Sequence, residues 1–173
     1  MSLYITAIAK AIFMAREYDE ELHDTLKYKH ICTYNNNFIE RLDGNPEGIY
    51  TFEGKPVNFC AGEYSKYNEW RKMLSLTMCG VLPNIVWENF DSYEGKPFAE
   101  LIKMSDAYGA IGSKTSKKLA NDFETFKNFI EQRFRPFIVN NDESDWSYYF
   151  LDRYKKWHEA FKVASDDGFV SFG

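Results

Sequence analysis

The stretch from Gly109 to Ser116, GAIGSKTS, combines glycines, hydroxyl side chains and a lysine, which are the residue types that bind phosphate groups. A loop of the pattern G-x-x-x-x-G-K-[ST] surrounds a phosphate with its amides and neutralises it with its lysine. Aligning Lys114 and Thr115 with that pattern places Tyr108 and Ser113 where glycines are required, so the pattern fails. What remains is the start of a helix, whose free amides attract anions, with plain capping by Ser113 as the alternative. The candidate anion-binding residues are Gly109, Gly112, Ser113, Lys114 and Thr115.

Asp106 lies just before this loop and supplies a carboxylate. It could act as a general base, as a cation ligand, or as an acceptor for amide hydrogens of the loop. The spacing fixes no second acid and no nucleophile near it, and Asp122 and Arg71 are its only suggested companions. An enzyme acting through Asp106 is therefore the third of three functional hypotheses, and we assign no catalytic residue.

A second cluster with chemical potential contains Tyr67, Trp70 and Arg71. Tyr67 and Arg71 are four residues apart, so on a helix the guanidinium can lie over the phenol ring. An exposed group of Tyr, Trp and Arg is typical of the residues that dominate protein interfaces. The alternative is that Tyr67 and Trp70 belong to the core and that Arg71 covers them.

No metal or cofactor site is predicted. His23 and His30 are seven residues apart, whereas metal-binding histidines on a helix are usually closer, and His158 is isolated. The three cysteines form no CxxC pair, which favours free thiols in a reducing compartment and a cytoplasmic location. The apolar run 3–15 is interrupted by Lys10 and is too short to span a bilayer. The net charge is −5 and no basic stripe is visible, so direct binding to nucleic acid is not expected.

The elements that must position these residues are mainly helical. A length of 173 residues and an aromatic content of 18% predict one globular domain, 1–173, with a core of large rings. The class expected is α+β, with about five helices and a small antiparallel sheet built from residues 49–60 and 169–172. Apolar spacing predicts helices over 63–79, 97–104, 113–134 and 146–164.

Three further segments have patterns other than a clear helical repeat. Residues 2–26 show helical spacing, but periodicity leaves open whether the first of them form a strand instead. Residues 48–61 read as a hairpin with Glu53-Gly54 at its turn, and the last strand is expected to pair with it. Three consecutive asparagines within 33–37 predict a turn or a helix start.

Three segments of the chain resemble a group of bacterial and phage proteins that have no assigned activity. The first is Y-x-x-W-R, carried here by Tyr67, Trp70 and Arg71. The second runs from S-D-x-x-G-x-I-G into K-L-x-x-D-F, and the third is Y-x-x-W-x-x-A-F near the end. The residues that carry these two are Ser105, Asp106, Gly109, Ile111, Gly112, Lys118, Leu119, Asp122 and Phe123, and then Tyr154, Trp157, Ala160 and Phe161.

The resemblance covers about the C-terminal two-thirds of the chain and implies no activity. The group has Cys-Glu where this chain has Ala107-Tyr108, and Pro where it has Ser113. A catalytic role for that glutamate therefore has no counterpart here.

The leading functional hypothesis is a small phage- or prophage-type binding protein that engages a host protein and has no catalytic activity. Its aromatic content and acidic charge carry this expectation. The alternative is a binder of a nucleotide or another phosphorylated ligand, through Arg71, Tyr67 and the loop 109–115. The sequence leaves the partner and the oligomeric state open.

Overall fold

The computed structural model describes residues 1–17, 20–27, 29–34 and 38–173, apart from the side chain of His23. The three consecutive asparagines, 35–37, for which the sequence predicted a turn or a helix start, lie outside the described residues. Within the described part, five strands form one antiparallel sheet in the order β2-β3-β1-β5-β4. The strands are β1 Ser2–Ala15, β2 His30–Cys32, β3 Ile49–Glu63, β4 Gly109–Gly112 and β5 Phe169–Phe172.

The helices confirm the α+β class but exceed the expected number, because the described residues form seven α-helices rather than about five. They are α1 Glu20–Leu26, α2 Tyr64–Cys79, α3 Pro83–Glu88, α4 Phe90–Tyr93, α5 Ala99–Lys103, α6 Ser113–Phe134 and α7 Trp146–Ala164. Two 3-10 helices are Ile39–Leu42 and Arg135–Phe137. None of the described helices is both long enough and apolar enough to cross a membrane.

The N-terminal segment is a strand, so the helical spacing of residues 2–15 was misleading. Leu3, Ile5 and Ala7 alternate along β1 and all lie in the main core. Ile8 instead belongs to a second cluster with Leu42, on the other side of the sheet. Because both faces of β1 are partly buried and its register is irregular, its apolar residues fall at spacings of two, three and four.

The predicted hairpin at 48–61 is wrong, because residues 49–63 form a single long strand. β1 pairs along the whole of β3, with Ala7 opposite Val57 and Ala9 opposite Glu53. Between these pairs one residue of β1 lies opposite three of β3, and the extra residues form a bulge in which Gly54 has a φ of 81°. The turn signal at Gly54 therefore marked a bulge. β5 pairs with β1 and β4 and not with β3, which corrects the predicted pairing.

The long helices agree with the sequence. Gly80 ends α2 with a φ of 71°, and Asp145 caps α7 by accepting from the amides of Ser147 and Tyr148. Aromatic rings dominate the core between α2, α6, α7 and the sheet. Trp70 stacks on Trp157 with ring centroids 6.1 Å apart.

Candidate binding cleft

An open cleft of about 550 Å³ lies where α2, α3 and α5 meet the segment leading into β4. Its size is in the range of sites that hold small molecules or single side chains of a partner. Three aromatic rings, two cations and one carboxylate contribute to its wall. The lining residues are Phe38, Arg71, Trp87, Lys103, Met104, Ser105, Asp106 and Tyr108.

Arg71 forms the floor of this cleft and is almost completely buried, with 4% of its surface exposed. Its Nη1 donates to the carbonyl oxygen of Met104 at 2.6 Å, and its Nη2 donates to Asn68 Oδ1 at 2.5 Å. The Nε atom has no hydrogen-bond partner among the described residues, but it is buried and does not face solvent. Arg71 is therefore committed to internal contacts.

Two aromatic rings lie against the same guanidinium. Its carbon is 5.3 Å from the ring centroid of Tyr67 and 4.9 Å from that of Trp87. The indole N–H of Trp87 donates to the carbonyl oxygen of Ile102 at 2.7 Å, which fixes the orientation of the ring. Since 42% of Trp87 is exposed, a rigid aromatic surface remains open to a ligand.

Asp106 is connected to Arg71 through Asn68. Asn68 Nδ2 donates to Asp106 Oδ2 at 2.7 Å, while Asn68 Oδ1 accepts from Arg71. The direct distance from Asp106 Oδ2 to Arg71 Nη2 is 3.9 Å. The Asp106 side chain is 40% exposed, so its carboxylate is held in place by one bond and still reaches solvent.

The exposed charges of the cleft and its rim are acidic, although cations contribute to its wall. Lys103 Nζ lies 4.3 Å from the ring centroid of Phe90 and 4.0 Å from Glu40 Oε1, and its side chain is 27% exposed. The side chains of Asp106 and Glu40 are more exposed, at 40% and 47%. A cationic group that enters the cleft therefore meets an open carboxylate beside aromatic rings, whereas an anion meets a buried arginine.

Tyr67 and Trp70, two of the predicted binding residues, have no exposed surface. Burial raises the pKa of Tyr67 to about 12, and its hydroxyl has no partner among the described residues. Trp70 donates its indole N–H to the carbonyl oxygen of Phe150 at 3.2 Å. The structure thus brings Arg71 and Asp106 together in the cleft, while Tyr67 and Trp70 support it from the core.

The predicted anion site at the start of α6 is already bound by a carboxylate of the chain. Asp43 Oδ2 accepts from the amide of Thr115 at 2.8 Å, and Asp43 Oδ1 accepts from its hydroxyl at 2.6 Å. Ser113 is the first helical residue and not the N-cap, which is Gly112. A Cβ on Gly112 would lie 2.8 Å from Asp43 Oδ2, so a small residue is needed there. One amide and one hydroxyl of the helix start are therefore already bound internally.

Residues 109–115 do not line the cleft, although the ligand hypothesis needed them beside Arg71. Gly109 to Gly112 form β4, a buried strand paired with β5, where the sequence predicted a loop. The chain before α6 is thus a strand and not a helix. Lys114 is exposed on the first turn of α6.

The K-L-x-x-D-F segment has a structural explanation. Lys118 Nζ lies 2.6 Å from Glu100 Oε2 and 2.8 Å from Asp122 Oδ2, and both carboxylates are mostly buried. Asp122 also accepts from the amide of Phe98 at 2.9 Å, and Phe98 has a φ of 62°. Burial raises the pKa of Asp122, against the opposing effects of Lys118 and of the Phe98 amide. This network holds the turn between α4 and α5 against α6.

Sequence reasoning missed Asn68, Trp87 and Tyr108. Trp87 lies in the aromatic segment PNIVWENF, and that segment was the available signal in the sequence. The structure shows that Trp87 is half-exposed. Tyr108 is 43% exposed at the cleft. The polar bridge through Asn68 joins residues 38 positions apart, which no local pattern predicts.

The described residues include no group of three or more His, Cys, Asp or Glu side chains that could hold a metal ion. His158 lies 3.5 Å from Glu124 and stacks on Phe123. Cys32, Cys60 and Cys79 are free thiols.

No family model, no curated protein and no solved structure matches this chain. The resemblance to the group of bacterial and phage proteins therefore stays a prediction.

Proposed function

We propose that this chain is a binding protein without catalytic activity that engages a protein partner by accepting a Lys or Arg side chain of that partner in the cleft. The observation that carries the proposal is the arrangement of Asp106. Its carboxylate is fixed through Asn68, reaches solvent and lies in a wall with the half-exposed rings of Trp87 and Tyr108.

The charge of the guest follows from which groups remain available. Arg71 already donates to Met104 and to Asn68, so a bound anion would have to replace internal bonds at a buried site. A cation can instead approach Asp106 and the aromatic faces without breaking them. The net charge of −5 adds a weaker, longer-range attraction to a basic partner surface.

The rim of the cleft favours a protein over a small molecule as the source of that cation. In the cleft, Trp87 and Tyr108 are 42% and 43% exposed, and the apolar side chain of Met104 lines the same wall. Half-exposed Trp and Tyr beside apolar residues are typical of interface hot spots. A phage or prophage origin, a host-protein partner and a cytoplasmic location belong to this proposal.

A second candidate is a small anionic ligand, because Lys103 and Arg71 both contribute to the cleft wall. Lys103 is the better placed of the two, since its side chain is partly exposed. This candidate no longer includes the helix start at Ser113, where Asp43 is bound. Catalysis through Asp106 has no further support, because the side chains lining the cleft include no histidine or cysteine to act with it.

Site-specific photo-crosslinking tests the leading proposal. Tyr108 is replaced by p-benzoylphenylalanine, the protein is expressed in its own host, and the adducts are mapped by mass spectrometry. The matched control carries the same group at Tyr4, which is 62% exposed on β1. We expect the group at position 108 to form an adduct with one partner protein, at a site near a Lys or Arg of that partner. The same adduct should be absent when the group is at position 4.

A native mass spectrum of the protein purified from the same host distinguishes the two candidates. The second candidate would replace the leading proposal if the spectrum shows a bound anionic small molecule that Lys103→Met no longer binds, and if no adduct forms at position 108. An identical adduct pattern at positions 108 and 4 would contradict the cleft as the docking site.

A further inference from the structure

A second cleft, of about 620 Å³, lies between the end of β3, the start of α2 and the first half of α7. Its wall is polar and includes three cations, Lys66, Arg153 and Lys156. This cleft shares no lining residue with the cleft of Arg71. It is therefore a separate candidate site.

The ring of Tyr149 contacts two of these cations. Lys66 Nζ lies 4.3 Å from the centroid of the Tyr149 ring, and the Arg153 guanidinium carbon lies 4.7 Å from it. The Tyr149 hydroxyl donates to the carbonyl oxygen of Ala61 at 2.5 Å, which fixes the ring. Gly62 allows this contact, because a Cβ there would lie 2.4 Å from the Tyr149 hydroxyl oxygen.

Arg153 is a buried cation, with 4% of its surface exposed and an Nε that has no partner among the described residues. Its Nη1 pairs with Asp152, and its Nη2 donates to Glu143 Oε1 at 2.7 Å. Lys156 pairs with the same Asp152 at 2.8 Å. Asp152 thus neutralises one side of the cluster, and Glu143 neutralises the other.

Glu143 differs from Asp152 in how it is held. It lies in the irregular segment 138–145, and its side chain is 56% exposed, against 26% for Asp152. Its backbone carbonyl accepts from Lys66 at 3.2 Å, so both of its contacts are to cations of the cleft. A rotation of this exposed side chain frees Arg153 Nη2 without disturbing the fold.

We propose that this cleft is a phosphate-binding site in which the Glu143 carboxylate is an internal occupant that a phosphate group displaces. The group binds to Arg153 Nη2 and to the ammonium of Lys66, with Lys156 at the side. Arg and Lys are the side chains that pair best with phosphate oxygens. Glu63 also lines the cleft, so with Glu143 and the paired Asp152 three carboxylates balance the three cations, and displacement of Glu143 is needed for a net positive site.

Isothermal titration calorimetry at constant ionic strength tests the proposal, with inorganic phosphate as one probe and phenyl phosphate as the other. Glu143→Gln keeps the shape of the side chain and removes the competing charge. We expect it to bind inorganic phosphate about tenfold tighter than the parent protein, the effect of losing one charged competitor. Stronger binding of phenyl phosphate than of inorganic phosphate assigns the site to monoesters, and equal binding assigns it to free phosphate.

Lys66→Met in the Glu143→Gln background is the matched control, because it keeps the apolar stem over Tyr149 and removes the charge. It is expected to abolish the gain. Equal affinities of the parent and Glu143→Gln would overturn the proposal. So would a gain that survives Lys66→Met, since phosphate would then bind elsewhere.

Discussion

Asp43 and Thr115 are 72 positions apart, yet one carboxylate binds both the amide and the hydroxyl of the threonine, at 2.8 and 2.6 Å. The contact connects the turn after the 3-10 helix Ile39–Leu42 to the first turn of α6. The Asp43 carboxylate thus takes the position for which the sequence predicted an external anion. A helix start rich in Ser and Thr is therefore capped from another part of the chain.

Replacing Asp43 by glycine should lower the free energy of unfolding by about 1–2 kcal/mol, the usual loss when a helix-capping side chain is removed. Glycine is the appropriate replacement because Asp43 has a φ of 56°, where other side chains are strained. Urea denaturation measures the change. Asp43→Asn retains an acceptor and is expected to lose less. A glycine variant as stable as the parent would show that the contact contributes nothing.

Lys118→Met should destabilise the fold by about 3–5 kcal/mol, because it leaves Glu100 and Asp122 buried without their shared cation. Burial raises the pKa of Asp122, so protonation of this carboxyl relieves part of the penalty and the variant should recover part of its stability as the pH falls from 8 to 5. Chemical denaturation at both pH values measures this. Lys117→Met, at an exposed position on the same helix turn, is the control and should change little. Equal losses in the two variants would contradict the account.

Asp145 connects stability to pH at the start of α7. Backbone amides of Val139, Asn140 and Tyr148 donate to its carboxylate and lower its pKa below the ordinary value of 3.8. A lowered pKa means that its contribution is present above pH 3.8 and is lost as the pH falls through the folded-state value.

The difference in unfolding free energy between the parent and Asp145→Asn should therefore be constant near neutral pH and shrink below about pH 4. Asp142 also has a lowered pKa and is present in both proteins, so it cancels from the difference except for its charge repulsion with Asp145, which raises the pKa of Asp142 in the parent alone. Urea unfolding of both proteins from pH 7 to pH 2.5 measures this difference in free energy. A difference that does not change with pH would assign the cap to geometry alone.

Local patterns predicted α2, α6 and α7 because their apolar residues recur at helical spacing, and Gly80 and Pro136 mark the ends of α2 and α6. The same patterns failed for β1, because its apolar residues face both sides of the sheet, as at Ala7 and Ile8, and lose the alternation that identifies a strand. A glycine with positive φ occurs in turns and in bulges alike, so Gly54 could not distinguish a hairpin from one long strand.

The candidate site was predicted in part. Arg71 and Asp106 do meet in one cleft, but their connection depends on Asn68 and on Trp87, which reach them only through the tertiary fold. Which charges stay exposed is also a property of the fold. Arg71 looked like the available cation in the sequence, whereas its buried bonds leave Asp106 as the available charge.

The central claim is that the Asp106 carboxylate receives a cationic side chain of a protein partner, and Asp106→Asn in the protein crosslinked at position 108 tests it. Asparagine can still accept from Asn68, so thermal unfolding should not change. The yield of the partner adduct should fall about five- to tenfold, the effect of removing one partly exposed ion pair and its aromatic support. An adduct yield in Asp106→Asn equal to that of the parent, at equal stability, would contradict the account.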